Sequence, residues 1–203
     1  MKFKIASHDT MSYLKPEKWY MRPFHFMGKC QNKDIGFQYR YGVRLFDIRV
    51  KWDKKQECWK FAHGSLVFKM TDGKDVDWLF SWIDCQNEKC MVRLILEYNK
   101  PVKNMSENDQ KFIDACQRWM SEYKNITWFE FRRKYDWKKL YTYEGEPNVD
   151  MYQATSSMTC FLSTKLPWLD DWYPYWYAKI HNKDNILQGT SHEYLLLDFI
   201  GLD

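Results

Sequence analysis

The chain has 203 residues, 45% hydrophobic and 19% aromatic, which suits one domain over 1–203 with a sizeable core. Its 31 basic and 27 acidic side chains leave a formal charge of +4 and form no long run of one sign, so the footprint of a dedicated nucleic-acid binder is absent. The cysteines at 30, 58, 85, 90, 116 and 160 make no C-x-x-C pair, and the start Met1-Lys2-Phe3-Lys4-Ile5 turns polar by Ser7, leaving no apolar signal-peptide core. No apolar run approaches the ~18 residues of a membrane span. Free thiols and a cytoplasmic location are the expectations.

Phe3 to Ala6 reads as a first strand running into Ser7-His8-Asp9-Thr10. Residues 11–29, aromatic and broken by Pro16 and Pro23, are expected to be irregular. A short helix over 32–41 is closed by Gly42. Gly42-Val43-Arg44-Leu45-Phe46-Asp47-Ile48-Arg49-Val50 then alternates as a strand over 43–50, and its period of two sends Val43, Leu45, Asp47 and Arg49 to one face. Opposite charges at the last two inward positions cost desolvation unless they pair or meet a ligand, so this end is either a structural ion pair or a site.

The next strand runs through Trp59-Lys60-Phe61 into Ala62-His63-Gly64. Asp75 suits the N-cap of a helix to residue 84, with Val76, Leu79, Phe80 and Ile83 at helical spacing. Met91 to Tyr98 is a strongly apolar strand ending in Glu97-Tyr98-Asn99-Lys100 before Pro101. Ser106 and Asp109 cap a helix over 107–123 whose stripe of Phe112, Ile113, Cys116, Trp119, Met120 and Tyr123 belongs to the core. Thr127 to Arg133, Val149 to Ala154 and Leu195 to Ile200 are the remaining strands. Strands alternating with helices predict a parallel α/β sheet, open or closed into a barrel.

In a (β/α) barrel the C-terminal strand ends form one ring. His8, Asp47 with Arg49, His63, Glu97, Arg132 or Arg133, and Asp198 all stand at such ends, and that many polar groups in one ring are hard to explain as packing.

Ser7-His8-Asp9-Thr10 with Met11-Ser12-Tyr13 resembles the opening motif of the phosphatidylinositol-specific phospholipase C X-domain superfamily. Residues 42–50 are similar to its second motif, Ala62-His63-Gly64 to its third, and Leu195 to Ile200 to its last-strand aspartate motif. The motifs are dense over residues 3–68 and return at 195–200; between them only the architecture matches.

The resemblance implies a distorted TIM barrel, reduced because the chain is short for the superfamily, and a two-histidine phosphodiesterase. By family position His8 is the base and His63 the acid, Asp198 orients His8, Asp9 serves His63, and Arg49, steered by Asp47, supplies a planar fork to the phosphate. Glu97, Asn99, Arg132 and Arg133 are positional candidates for substrate contact. Arg49 stands where the eukaryotic members carry an acidic calcium ligand, a likeness to the metal-independent bacterial branch, so no cofactor is expected. Ca2+ held by Asp9, Asp47 and Glu97 is the alternative, because Glu97 matches a calcium-ligand glutamate better than the basic residue of the bacterial enzymes.

The implied reaction cleaves a phosphodiester, a phosphoinositide at a membrane surface included, through a cyclic phosphate; the alternative is a non-catalytic binder of a phosphorylated ligand or protein partner. A glycerophosphodiester phosphodiesterase is disfavoured, since it needs a metal-binding E-x-D where this chain has Asp47-Ile48-Arg49. A monomer is expected, and the missing export signal suits a viral or phage-borne enzyme acting inside a host cell. Most aromatics of 167–177 are expected to pack on the barrel, with membrane contact as the alternative.

Overall fold

Hydrophobic alternation and capping residues divide the chain much as the sequence suggests. The computed structural model describes residues 3–71, 73–98, 103–155, 174–188 and 191–202. In chain order the elements are β1 (Lys4–Ser7), a 3-10 helix (Trp19–Met27), α1 (Ile35–Arg40), β2 (Leu45–Asp53), β3 (Cys58–His63), β4 (Leu66–Val67), α2 (Val76–Asp84) and β5 (Met91–Leu96). There follow α3 (Glu107–Glu122), β6 (Thr127–Arg133), β7 (Lys139–Tyr141), β8 (Met151–Ala154), α4 (Pro174–Gln188) and β9 (Tyr194–Leu197).

Six strands run parallel in the order β8-β9-β1-β2-β5-β6, and β7 adds antiparallel to β6. Among the described residues β7 and β8 are the outer strands and do not pair, so the curled sheet is an open, reduced (β/α) barrel. Strands β3 and β4 stand apart from this parallel set. Strand β3 pairs antiparallel with the far end of β2, Val50 opposite Phe61 and Asp53 opposite Cys58, so β2 overshoots the sheet and β3 leads the chain back. His63 therefore comes to the rim on the descending arm of a hairpin, a correction to the expected ring of parallel strand ends.

The two sheet faces bury different things. Phe46, Ile48, Val50, Val92, Leu94, Leu96 and Phe131 face outward onto Leu79, Phe80, Ile83, Phe112, Cys116 and Trp119 of α2 and α3. Within that layer Phe80 sits 5.0 Å from the rings of both Trp119 and Trp128. Val43 joins this core rather than the inner face, because it precedes the strand and lies outside its alternation. Ala6, Leu45, Phe129, Tyr194 and Leu196 form a smaller apolar floor inside the barrel. The same alternation carries upward from that floor to His8, Asp47, Arg49 and Asp198.

Helix α3 begins with a complete capping box: Asp109 N–H donates to Ser106 Oγ (3.1 Å) and Ser106 N–H to Asp109 Oδ2 (2.7 Å). Asp109 Oδ2 also accepts from Arg133 Nη1 at 2.9 Å, and Asp136 takes the other edge of that guanidinium. Arg133 is thus a buried brace between β6 and α3, on the outer face, and not the substrate contact its position suggested.

Asp109→Ala is expected to cost about 3 kcal/mol, since it strips a buried arginine of one partner and removes the reciprocal half of the capping box. Ser106→Ala is expected to cost about 1 kcal/mol. Urea unfolding of the two variants checks the ranking; equal costs would mean that the arginine pair contributes nothing beyond the cap.

Candidate functional site

The rim above the apolar floor is built from charged groups whose burial forces them to pair. Arg49, 1% exposed, is the hub. Its Nε donates to Asp47 Oδ2 (2.9 Å), its Nη1 to Glu97 Oε1 (3.2 Å), and its Nη2 to His8 Nε2 (2.6 Å). Burial alone would weaken the guanidinium charge, but Asp47, Asp9 and Glu97 hold its pKa above the ordinary value. Asp47 meets burial in the opposite sense, and Arg49 and Arg93 keep its carboxyl well below the usual range. Asp47 Oδ2 also accepts the Asp9 backbone N–H at 3.1 Å, tying the loop after β1 to β2.

His8 and Asp198 face each other from neighbouring strands, because β1 and β9 pair in register with Ser7 opposite Leu197. His8 Nδ1 lies 2.7 Å from Asp198 Oδ1, which assigns the ring proton to Nδ1 and leaves Nε2 to accept from Arg49. Burial holds the His8 pKa below the ordinary imidazole value; Asp198 pulls it up and Arg49 pushes it down again. The ring is neutral near pH 7.

His63 has the opposite character. Its Nδ1–H donates to Gly28 O (3.0 Å), and Asp9 Oδ2 stands 2.9 Å from the same nitrogen without a hydrogen bond of its own. Burial lowers its pKa, but the Asp9 charge outweighs this and the value stands above the ordinary one. The imidazole rings of His8 and His63 meet edge to face with centroids 6.4 Å apart, so both belong to one site at the rim. A Cβ at Gly28 would lie 2.7 Å from Leu66 Cδ1 and 3.2 Å from His63 Nδ1, so a larger residue there would displace Leu66 and crowd the His63 ring.

The backbone around the carboxylates is held in costly conformations. Asp9 has φ +41° and Phe199, directly after Asp198, has φ +48°, each in the left-handed region that favours glycine. Polar side chains that the sequence did not mark hold them there. Gln31 Nε2 donates to His8 O and Leu197 O (3.0 Å each), while its Oε1 accepts from Ile200 N–H. Gln38 donates to Thr10 O (3.1 Å), Ser12 Oγ accepts from Cys30 N–H and Gln31 N–H, and Asn182 of α4 donates to Asp198 O.

The expected substrate contacts resolve differently. Glu97 is 1% exposed, engaged by Arg49 and by Gly64 N–H (3.1 Å), so it braces the turn after His63 and offers no oxygen to a substrate. Arg132 shares the inner face but spends its fork on Trp137 O and Glu130 Oε1. Asn99 lies outside the described residues. Two cations that the sequence reading passed over face inward. Lys134, partly exposed, lies 3.9 Å from Glu97, its pKa lowered by burial and by Arg49. Arg93, opposite Asp47 across β2 and β5, stacks 4.9 Å from the Trp137 ring centroid, and its Nε and Nη1 have no hydrogen-bond partner.

Asp9, Asp47 and Glu97 do not gather as one ligand set, since each is turned toward a cation or an N–H group. Among the described residues the ligand atoms that come within 4.8 Å of one another are those of His8, Cys30 and Asp198, and those of Asp9, Cys30 and His63.

The fold is that of the bacterial phosphatidylinositol-specific phospholipases C. The enzyme from Listeria monocytogenes superposes with a TM-score of 0.59 at 18% identity, over 99% of this chain and 89% of that one. Two structures of the Staphylococcus aureus enzyme, an F249X mutant and an N254Y/H258Y double mutant, give TM-scores of 0.56 and 0.57 at 15% and 14% identity. Each match covers 98% of this chain, with 87% and 86% of theirs. No family model and no curated protein matches the sequence.

At a pH near the ordinary imidazole value of about 6.5, His8 is expected to be mostly neutral and His63 mostly charged. Nitrogen-detected NMR titration reads both rings. Asp9→Asn is expected to lower the His63 pKa and leave His8 below the ordinary value; identical titration of the two rings would contradict the geometry.

Proposed function

We propose that this protein is a phosphodiesterase of the phospholipase C type, in which one histidine removes a proton from an attacking hydroxyl and the other protonates the leaving oxygen. The observation that carries the reading is the opposite electrostatic environment of two imidazoles whose ring centroids lie 6.4 Å apart. Neutral His8, its Nδ1–H anchored on Asp198, presents Nε2 as the base. Charged His63, beside Asp9, presents a proton on its far nitrogen as the acid. The attacking group is a hydroxyl neighbouring the phosphate in the substrate, so the product is a cyclic phosphate and the released alcohol carries the proton from His63. Arg49 turns its Nη2 edge from His8 to the non-bridging oxygens, and Lys134 faces the same space.

The reaction as proposed needs no metal. Arg49 already places a fixed positive charge among Asp47, Glu97 and His8, so the carboxylate oxygens that a calcium ion would need are taken up by the guanidinium.

A lipid substrate at a bilayer surface suits the outer wall of the site. The 3-10 helix has no buried residue, and Trp19, Tyr20, Phe24, Phe26 and Met27 are 45–76% exposed. It ends at Gly28, whose carbonyl holds His63. Beside it Lys18, Lys51, Lys54 and Lys55 line a groove of about 340 Å³, together with Glu17 and Asp53, which pair with the buried Lys60. Exposed aromatics flanked by lysines favour an anionic membrane interface. No helix among the described residues is long and apolar enough to cross a membrane.

Leaving-group dependence tests the division of labour. An alkoxide needs a proton to depart and a nitrophenolate hardly does. His63→Ala is therefore expected to lose about 10²–10⁴-fold on an alkyl phosphodiester with a neighbouring hydroxyl, and far less on its nitrophenyl counterpart. His8→Ala is expected to lose a similar factor on both, and Arg49→Lys about 10²-fold on both because a point charge cannot replace the fork. Equal losses for His63→Ala on the two substrates would remove His63 from the acid role. Wild-type protein that binds a phosphodiester analogue without turning any substrate over would be a binding module instead.

Turnover is expected to be unchanged by EDTA and not raised by calcium. Loss on chelation with recovery in calcium would overturn the metal-free reading.

A further inference from the structure

Cys30 lies behind both histidines, on the side away from the space proposed for the phosphate. Its Sγ is 3.9 Å from His63 Nδ1 and, with Asp9, completes a nitrogen, sulfur and oxygen trio whose atoms lie within 4.8 Å of one another. The backbone that carries the thiol is fixed on both sides. Cys30 N–H donates to Ser12 Oγ (2.9 Å), its carbonyl accepts from Phe199 N–H (2.6 Å), and the residue is fully buried. Asp9 Oδ2 is also buried and faces His63 Nδ1 at 2.9 Å. The companion trio of His8, Cys30 and Asp198 is closed by the 2.7 Å hydrogen bond between imidazole and carboxylate. Only His63, with 21% of its side chain exposed, opens a way in.

We propose that Asp9, Cys30 and His63 form a capture site for a thiophilic divalent cation of the Zn2+, Cd2+ or Co2+ class, and that its occupation switches the protein off. The donor set decides the class: thiolate with imidazole and one carboxylate selects zinc-like metals and not calcium or magnesium, which take oxygen ligands. Contraction from the present spacing to bond lengths of about 2.0–2.3 Å needs small side-chain movements in a trio already assembled. As the metal enters, the thiol proton and the His63 Nδ1 proton leave to solvent. His63 then loses its orienting contacts with Gly28 O and Asp9. The inhibitory consequence rests on the proposed reaction; the site itself does not.

Cobalt(II) alone, added to the intact reduced protein, reads the site directly through the thiolate-to-cobalt charge-transfer absorption. The expected result is one equivalent bound with that absorption, retained when Cys58 and Cys85, the thiols outside the core among the described residues, and Cys160 are replaced together by serine. Cys30→Ser is expected to abolish the absorption and weaken Zn2+ binding by more than the about 10–100-fold that loss of an outer partner costs. Absorption that survives in Cys30→Ser, or that never appears in the wild-type protein, would overturn the site. Zinc bound at Cys30 without loss of turnover would leave the site standing and overturn the switch.

Discussion

A guanidinium with almost no contact with water organises this molecule. Stripping water from such a group costs several kcal/mol unless its donors are taken up, and here each edge of Arg49 is satisfied by a different part of the fold. Asp47 comes from the same strand, His8 from the end of β1, and Glu97 from just past β5. Glu97 extends the link to Gly64 and so to the hairpin that carries His63. The relative placement of the two histidines is therefore fixed by one charge and the carboxylates that neutralise it. A loop-built site without that charge would have to hold the same separation by backbone stiffness alone.

What the sequence made legible followed from local rules. Helix α2 starts behind Asp75 and α3 behind Ser106 because each cap satisfies orphan N–H groups, and those signals are contained within four residues. Strand β6 runs from Thr127 to Arg133, the bounds expected for it. The inner face of β2 was readable from Leu45 onward by its alternation. What was not legible depended on pairing between distant segments. The hairpin that reverses β3 looks locally like any strand, since alternation carries no direction.

Register hid the inward cations in a similar way. A shift between Val92 and Arg93 makes Phe129 an extra residue in β6, so the inward set beyond it becomes Glu130, Arg132 and Lys134. Counting from the start of the strand cannot reveal that bulge, and Arg133 took the attention that belonged to Lys134. Gln31, Gln38 and Ser12 escaped for another reason: each acts on backbone groups far away in sequence, and no spacing rule marks a side chain that satisfies a remote carbonyl. The aromatic weight expected at 167–177 lies mostly outside the described residues. The aromatic stretch at 19–27, expected to be irregular, forms an exposed 3-10 helix instead.

Two histidines with different protonation states must sit close without sharing one proton, and the material between them matters. Coupled groups titrate as a unit, and a carboxylate serving both rings would merge their two protonation steps. Here each ring has its own carboxylate, and the group lying between the two pairs is the Cys30 thiol. Burial first, and then Asp198 and Asp9, push that thiol well above its ordinary pKa, so it stays protonated and neutral across the working range. A neutral group there adds no third charge to bias either ring. Arg49 lowers the basicity of both rings through its charge, but it hydrogen-bonds only to His8, and that contact supplies the remaining asymmetry. The difference between the rings thus arises from which charged neighbour each one faces, a property of strand pairing and hairpin direction more than of the residues themselves.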